Sequence, residues 1–216
     1  LPELRLLYGS QKMPKSLMVN EMFPSIQGEG YWTGTPCYFI RLSGCNRSCE
    51  FCDTLHKDGV EMSLDEIMSK VPVEFKHAVI TGGEPTIQEN LVEFIDTFDH
   101  YTTKIHIETN GTRSDILEQI QCIHNTWITI SPKEELDWGT YAWASELKFV
   151  VGNRDDLVFP HNVWGYLKET LGRWPTIYLQ PMSNKKEAIE LCYEECLKHP
   201  DKFNLSIQTH KLIGVQ

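Results

Sequence analysis

The sequence predicts an α/β fold, a partial (open) barrel of mostly parallel strands with outer helices. Three observations carry this. Strand-like apolar runs alternate with helix-like amphipathic segments, an order that lays parallel strands beneath a layer of helices. The 216 residues fall short of the about 250 that a complete eightfold barrel takes. The stretch Glu134 to Ala144 carries no helical pattern where a closed barrel would need one. No repeat, low-complexity tract or Pro/Gly-rich linker divides the chain, so 1–216 reads as a single domain, with 1–17 left unassigned.

The elements follow in order. Cys37 to Leu42 is an apolar strand. Ser63-Leu64-Asp65-Glu66 has the form of a capping box and opens a helix toward Val71. His77 to Thr81 is a buried strand, and Glu89 to Phe98 a helix whose apolar face is Leu91, Val92, Phe94, Ile95 and Phe98. Lys104 to Glu108 is the next strand, and Ser114 caps a helix through Ile123. Trp127 to Ile130 and Glu146 to Val151 are strands, Asn162 to Leu171 a helix, Thr176 to Gln180 a strand, Lys186 to Lys198 a helix, and Phe203 to Ile207 a last strand.

Composition narrows the class. Hydrophobic residues at 41% and charged residues at 23% are ordinary for a soluble globular chain. No apolar stretch approaches the roughly 20 residues that span a bilayer, and Leu1 to Leu17 lacks the layout of a signal peptide. A cytoplasmic, non-membrane protein is expected. The formal charge of −10 comes from 20 basic and 30 acidic residues with no basic run, which disfavours direct nucleic-acid binding and leaves room for a small anionic substrate.

Chemistry concentrates in the loop after the first predicted strand, where Cys45, Cys49 and Cys52 crowd together. Three thiolates can hold three irons of a [4Fe–4S] cluster and leave the fourth open for a ligand. With His56 they could also form a closed Cys3His zinc site. A disulfide knot does not suit a chain of this size with 7 cysteines. Of the other four, Cys192 and Cys196 are expected on one buried helical face with Ile189, Tyr193 and Leu197, and Cys37 and Cys122 are expected to be buried. A second motif, Thr81-Gly82-Gly83-Glu84-Pro85, follows the apolar run Ala78-Val79-Ile80. Its glycines let backbone approach a ligand, and the Glu84 carboxylate can face an ammonium. Both motifs fall just after predicted strands, as do Glu108 to Thr112, Ser131 to Lys133 and Gln180 to Met182, and barrel chemistry sits at those strand ends.

The Cx3Cx2C loop, with an aromatic before its last cysteine, resembles the cluster loop of the radical S-adenosylmethionine (SAM) superfamily, and Gly82 to Pro85 looks like that superfamily's GGEP motif. Pro24 to Gly30, Cys52-Asp53-Thr54, Glu108 to Thr112, Ser131-Pro132-Lys133 and Gln208 to Lys211 carry a finer resemblance, from Asn20 to Gln216, to the 7-carboxy-7-deazaguanine synthase family. The resemblance implies a radical SAM core and conversion of 6-carboxy-5,6,7,8-tetrahydropterin to 7-carboxy-7-deazaguanine with loss of ammonia. It implies a [4Fe–4S] cluster on Cys45, Cys49 and Cys52, SAM bound by Gly83, Glu84, Ser131, Pro132, Lys133, Gln180, Pro181, Met182 and Ser183, and Mg2+ on Thr54, with Asp53 holding a metal-bound water. It places substrate on Ile26, Gln27, Gly28, Arg41, Thr81 and the terminal carboxylate of Gln216. It further implies a homodimer and a flavodoxin- or ferredoxin-type reductant. Two rival readings are a radical SAM activase that makes a glycyl radical in a partner protein, and a zinc-stabilised binding module without catalysis.

Overall fold

The computed structural model describes residues 15–49, 52, 54, 56–100, 104–170 and 175–216. Asp53, most of the 1–17 segment and the expected helix end at Leu171 therefore lie outside the described residues. One nine-stranded sheet organises the chain. It is built from β1 (Ser16–Ile26), β2 (Pro36–Leu42), β3 (Val60–Ser63), β4 (His77–Gly82), β5 (Lys104–Thr109), β6 (Thr126–Ile130), β7 (Glu146–Val151), β8 (Thr176–Pro181) and β9 (Asn204–Leu205). The order is β3-β1-β2-β4-β5-β6-β7-β8-β9. β1 runs antiparallel to both β2 and β3, and every pair from β2 to β9 is parallel. The helices are α1 (Leu64–Lys70), α2 (Leu91–Phe98), α3 (Ser114–Ile120), α4 (Val158–Thr170), α5 (Lys186–Lys198) and α6 (Thr209–Ile213). Between β6 and β7 the chain makes a 3₁₀ helix, Trp138–Trp143, in place of an α-helix. None of these helices is long and apolar enough to cross a membrane.

Strand periodicity sorts the side chains into two faces. Ala78 and Ile80, Ile105 and Ile107, Leu147 and Phe149, and Ile177 and Leu179 join one core with the helices. The residues between them face the barrel interior: His77, Thr81, His106, Glu108, Glu146, Lys148 and Gln180. The inner face is thus a polar channel over a small apolar patch of Cys37, Phe39 and Val79.

Several expectations are corrected. β1 was not anticipated, because Pro24 disguises it. Pro24 sits in the half of β1 that pairs only with β2, since β3 reaches no further than Val19, so its missing N–H leaves no ladder bond broken. Ser114 is the first residue of α3 and not its cap. Arg113 holds the cap position, forking onto Asp115, and Ser114 Oγ accepts from Trp143 Nε1 at 3.2 Å. α4 begins at Val158, four residues before the expected start; Pro160 lies in its first turn, where no intrahelical N–H is needed. β9 is only two residues long. Cys122 is exposed, its thiol directed to the Glu118 carbonyl. On α5 the buried positions are Ala188, Cys192 and Glu195, whereas Tyr193 and Leu197 are 53% and 64% exposed, so the true stripe is rotated from the expected one.

At the base of the channel His77 Nδ1 lies 3.0 Å from His106 Nε2. Burial, aided by His77 and Lys104, drives the His106 pKa from 6.5 to about 3. The unfolded chain therefore takes up a proton that the native one refuses, and stability falls as pH drops from 6.5 toward about 3. Urea unfolding at pH 5 and pH 7 should show that loss, and His106→Asn should flatten it. An unchanged pH slope in the variant would remove His106 from the acid limb.

Candidate active site

A cavity of about 460 Å³ opens at the C-terminal ends of the parallel strands. Cys45, Cys49 and Cys52 line one end, on the loop that leaves β2. Arg47 N donates to Cys45 Sγ at 3.4 Å, and Cys52 N to the Cys49 carbonyl at 3.1 Å, which curls the loop back on itself. Burial, then the Glu84 carboxylate and the other two thiols, pushes the Cys45 thiol up, so a cation is needed to hold it as thiolate.

The loop is fixed from β4 and β5. Gly83 N donates to the Leu42 carbonyl and Glu84 N to the Gly44 carbonyl, at 3.1 and 2.9 Å. A Cβ on Gly83 would lie 1.9 Å from Gly44 O, and Gly82 adopts φ +136, so both positions need glycine. Asn110 Nδ2 reaches Asn46 Oδ1 at 2.9 Å, and Asn46 Nδ2 reaches Thr112 Oγ1 at 2.8 Å, tying the cysteine loop to the end of β5. Gly83→Ala is expected to push the β4 turn off this loop at a cost of about 1–3 kcal/mol or more, with loss of iron binding. Iron content after reconstitution would check this, and a full complement in the variant would show that the contact yields.

Glu84 faces the protein interior. Its carboxylate is fully buried and accepts from Thr86 N, Thr86 Oγ1, Thr109 Oγ1 and Asn110 N at 2.5–3.0 Å. It braces the β4 turn against β5 and does not line the cavity. Pro132 is likewise buried and absent from the lining, although Ser131 and Lys133 on either side line it. The other expected residues come together around the cavity: Ile26, Gln27, Gly28, Arg41 and Thr81, Gly83, Thr54, Gln180 to Ser183, and Gln216. Ser183 and Asn184 hold positive φ, 54 and 51, at the turn after β8, an uncommon conformation for residues with side chains. Ser25 Oγ donates to the Gln216 main-chain oxygen and Gln216 Nε2 to Glu21 at 2.6 Å, which holds Gln216 against β1 at the cavity wall.

The channel floor holds groups that sequence reasoning did not assign. Glu108 accepts from Thr81 Oγ1 at 2.8 Å and Gln27 Nε2 at 3.1 Å. Lys148, 6% exposed, donates to Glu29, whose other oxygen accepts from Gln208 Nε2 at 2.8 Å. Burial opposes both charges of that pair, but Lys148 holds the Glu29 carboxyl below its ordinary value, and Glu29, Glu108 and Glu146 together hold the Lys148 ammonium above its own. Glu146 is pushed up by burial, and it accepts from Tyr31 N and Thr129 Oγ1, each at 2.9 Å. The signal was present in the strict alternation of Ile105-His106-Ile107-Glu108 and Glu146-Leu147-Lys148-Phe149, which puts charges on a face that a buried strand should keep apolar. Arg41 is engaged by Glu21 at 2.7 Å through Nε and lies 5.6 Å from the Phe23 ring centroid.

The cysteine end suits an anionic cluster. Two buried nitrogens among the described residues lack hydrogen-bond partners there, Arg47 Nε and His56 Nδ1, and both residues line the cavity. An unmet buried donor costs about 1–3 kcal/mol, which sulfide or carboxylate acceptors seated among the cysteines would relieve.

Comparison with known proteins agrees with this geometry. The model of the radical SAM superfamily matches residues 39–134. The 7-carboxy-7-deazaguanine synthase of Escherichia coli (strain K12) is 35% identical, over 91% of this chain and 98% of that one. The protein of the same name from Bacteroides thetaiotaomicron is 38% identical, over 92% and 98%. The crystal structure of QueE from Escherichia coli superposes with a TM-score of 0.73 at 30% identity, over 90% of this chain and 95% of that one.

Proposed function

Given that this chain belongs to the 7-carboxy-7-deazaguanine synthase family of radical SAM enzymes, we propose that its cavity contracts the ring of 6-carboxy-5,6,7,8-tetrahydropterin with loss of ammonia. Family membership makes it a ring-contracting lyase that yields 7-carboxy-7-deazaguanine, and it sets aside the activase and zinc-module readings. Removing one NH3 from the carboxytetrahydropterin gives the deazaguanine carboxylate with no net oxidation, so the protein has only to start a rearrangement and contain it. The observation that carries the proposal is the joining, in one cavity, of three cysteines at one end and a set of amide, carboxylate and ammonium groups at the other.

Cys45, Cys49 and Cys52 would hold the cluster, and Gly83, Ser131, Lys133 and Gln180 to Ser183 the SAM; together, when bound, these groups supply the radical that takes hydrogen from substrate. The chain's own residues position and exclude. Gln27 and Glu108, already paired, offer an amide and a carboxylate acceptor to the donor-rich pyrimidinone edge. Thr81 fixes Glu108 from the side. Arg41 keeps further guanidinium N–H groups beyond the one given to Glu21 and suits the substrate carboxylate. Thr54 offers a hydroxyl beside Cys52 for Mg2+, which prefers oxygen and retains water. Gln216 holds the chain end at the cavity wall. The buried Lys148–Glu29 pair keeps the floor charged and its polar groups in fixed positions. We assign the electron to a flavodoxin- or ferredoxin-type donor, the setting to the cytoplasm and the assembly to a homodimer.

An anaerobic assay with dithionite, SAM, Mg2+ and 6-carboxytetrahydropterin, read by mass spectrometry, tests the proposal. The expected result is a deazaguanine carboxylate peak with little 5′-deoxyadenosine accumulating. Deoxyadenosine without deazaguanine would show that the pterin is the wrong substrate.

A further inference from the structure

A second group of metal-ligating side chains lies outside the cavity, between α4 and α5. His161 comes from the first turn of α4, Glu195 from the last turn of α5, and His199 from its C-cap. Glu195 and His199 stand one helical turn apart and so share a face. Glu195 Oε1 is 2.7 Å from His161 Nε2 and 3.2 Å from His199 Nε2. The ligand atoms of all three fall within 4.8 Å of one another.

The arrangement is held from beneath. Phe203, 3% exposed, meets the His161 ring edge-to-face at 4.8 Å and the His199 ring at 6.4 Å, while the two imidazoles meet at 5.0 Å. Packing therefore fixes both rings with Nε2 turned to one carboxylate oxygen. Glu195 itself is 8% exposed, a carboxylate buried far beyond the norm for its type. The His161 and His199 side chains keep 29% and 25% of their surface, leaving a way in from solvent.

We propose that His161, Glu195 and His199 form a divalent-metal site suited to zinc, which clamps α4 to the end of α5. Zinc takes imidazole at about 2.0–2.1 Å and carboxylate at about 2.0–2.2 Å in a tetrahedron, which spaces neighbouring donors about 3.3 Å apart. The His199–Glu195 separation of 3.2 Å already matches this spacing, and the 2.7 Å between His161 and Glu195 needs to open by about half an ångström. Two nitrogen donors argue against Mg2+ and Ca2+, which take oxygen. Water would complete the fourth position through the exposed side. A doubly charged ion also compensates the buried Glu195 carboxylate. The clamp would steady Phe203, which directly precedes β9, and the chain runs on from there through Ser206 to Gln208 on the cavity floor.

Zinc chloride is the probe, applied to the cluster-loaded enzyme so that the cluster cysteines are occupied. Anomalous maps from soaked crystals, measured above and below the zinc edge, should place a peak among these three side chains. Calorimetry should give one such site per chain with a dissociation constant in the micromolar range or below, weakened at least about tenfold in His161→Ala/His199→Ala. Iron content and circular dichroism of the double variant show whether it folds; if it does not, Glu195→Gln, which keeps the side chain's shape, is titrated in its place. No peak at this position, millimolar affinity, or unchanged affinity in the variant that folds would overturn the site.

Discussion

Replacing Cys49 with Ala is expected to abolish turnover and leave the chain folded. Cys49 sits on the cysteine loop at the cavity wall, outside the buried core that α1 to α5 pack over the sheet. The loop's shape rests on backbone bonds from Gly83 and Glu84 and on the Asn46–Asn110–Thr112 links, none of which uses the Cys49 side chain. Removing one of the three thiolates would leave the proposed ligand set too small for a cluster, and the reduction of SAM that such a cluster supplies would be lost. Circular dichroism and urea unfolding should match the parent to within about 0.5 kcal/mol. Absorbance near 400 nm and product formation should both vanish. A variant that keeps its cluster and its turnover would sink the assignment of these cysteines.

Lys148→Met should produce the largest loss of stability. Lys148 and Glu29 have side-chain exposures of 7% and 13%, and Glu108 and Glu146 share the same channel. Taking away the ammonium leaves three carboxylates facing one another with little water. Breaking a buried pair from one side costs about 3–5 kcal/mol, a large part of the 5–15 kcal/mol that holds a typical domain. Urea denaturation at pH 7 measures it. Glu29→Gln added to Lys148→Met should recover part of the loss, because the amide removes one uncompensated charge and still accepts from Gln208. A single variant within about 1 kcal/mol of the parent would show that water or neighbours already neutralise the pair.

The two variants mark what could and could not be read from the chain. The cysteine spacing, the GGEP turn and the strand–helix alternation are local patterns, and short-range chemistry fixes them: thiols crowded into one loop, a turn with no room for a Cβ, apolar residues at period 2 or 3.6. Pairing sets the rest. Pro24 hid β1 because whether a proline breaks a strand depends on which side its neighbour lies. The Ser114 cap failed because Trp143, distant in sequence, took its hydroxyl. The Cys192 stripe was misplaced because only the sheet against which α5 packs decides which arc of a weakly amphipathic helix is covered.

By itself, then, the sequence determined the fold class, the cysteine loop and the family, since each rests on short motifs and local periodicities that can be read one after another along the chain. Only the tertiary structure decided that Glu84 braces β5 rather than lining the cavity, that Glu108, Lys148 and Glu29 meet on one floor, and that His161 faces Glu195 and His199. Those outcomes depend on which strands lie side by side and which carboxylates lose their water, and burial of charge is a property of the assembled barrel.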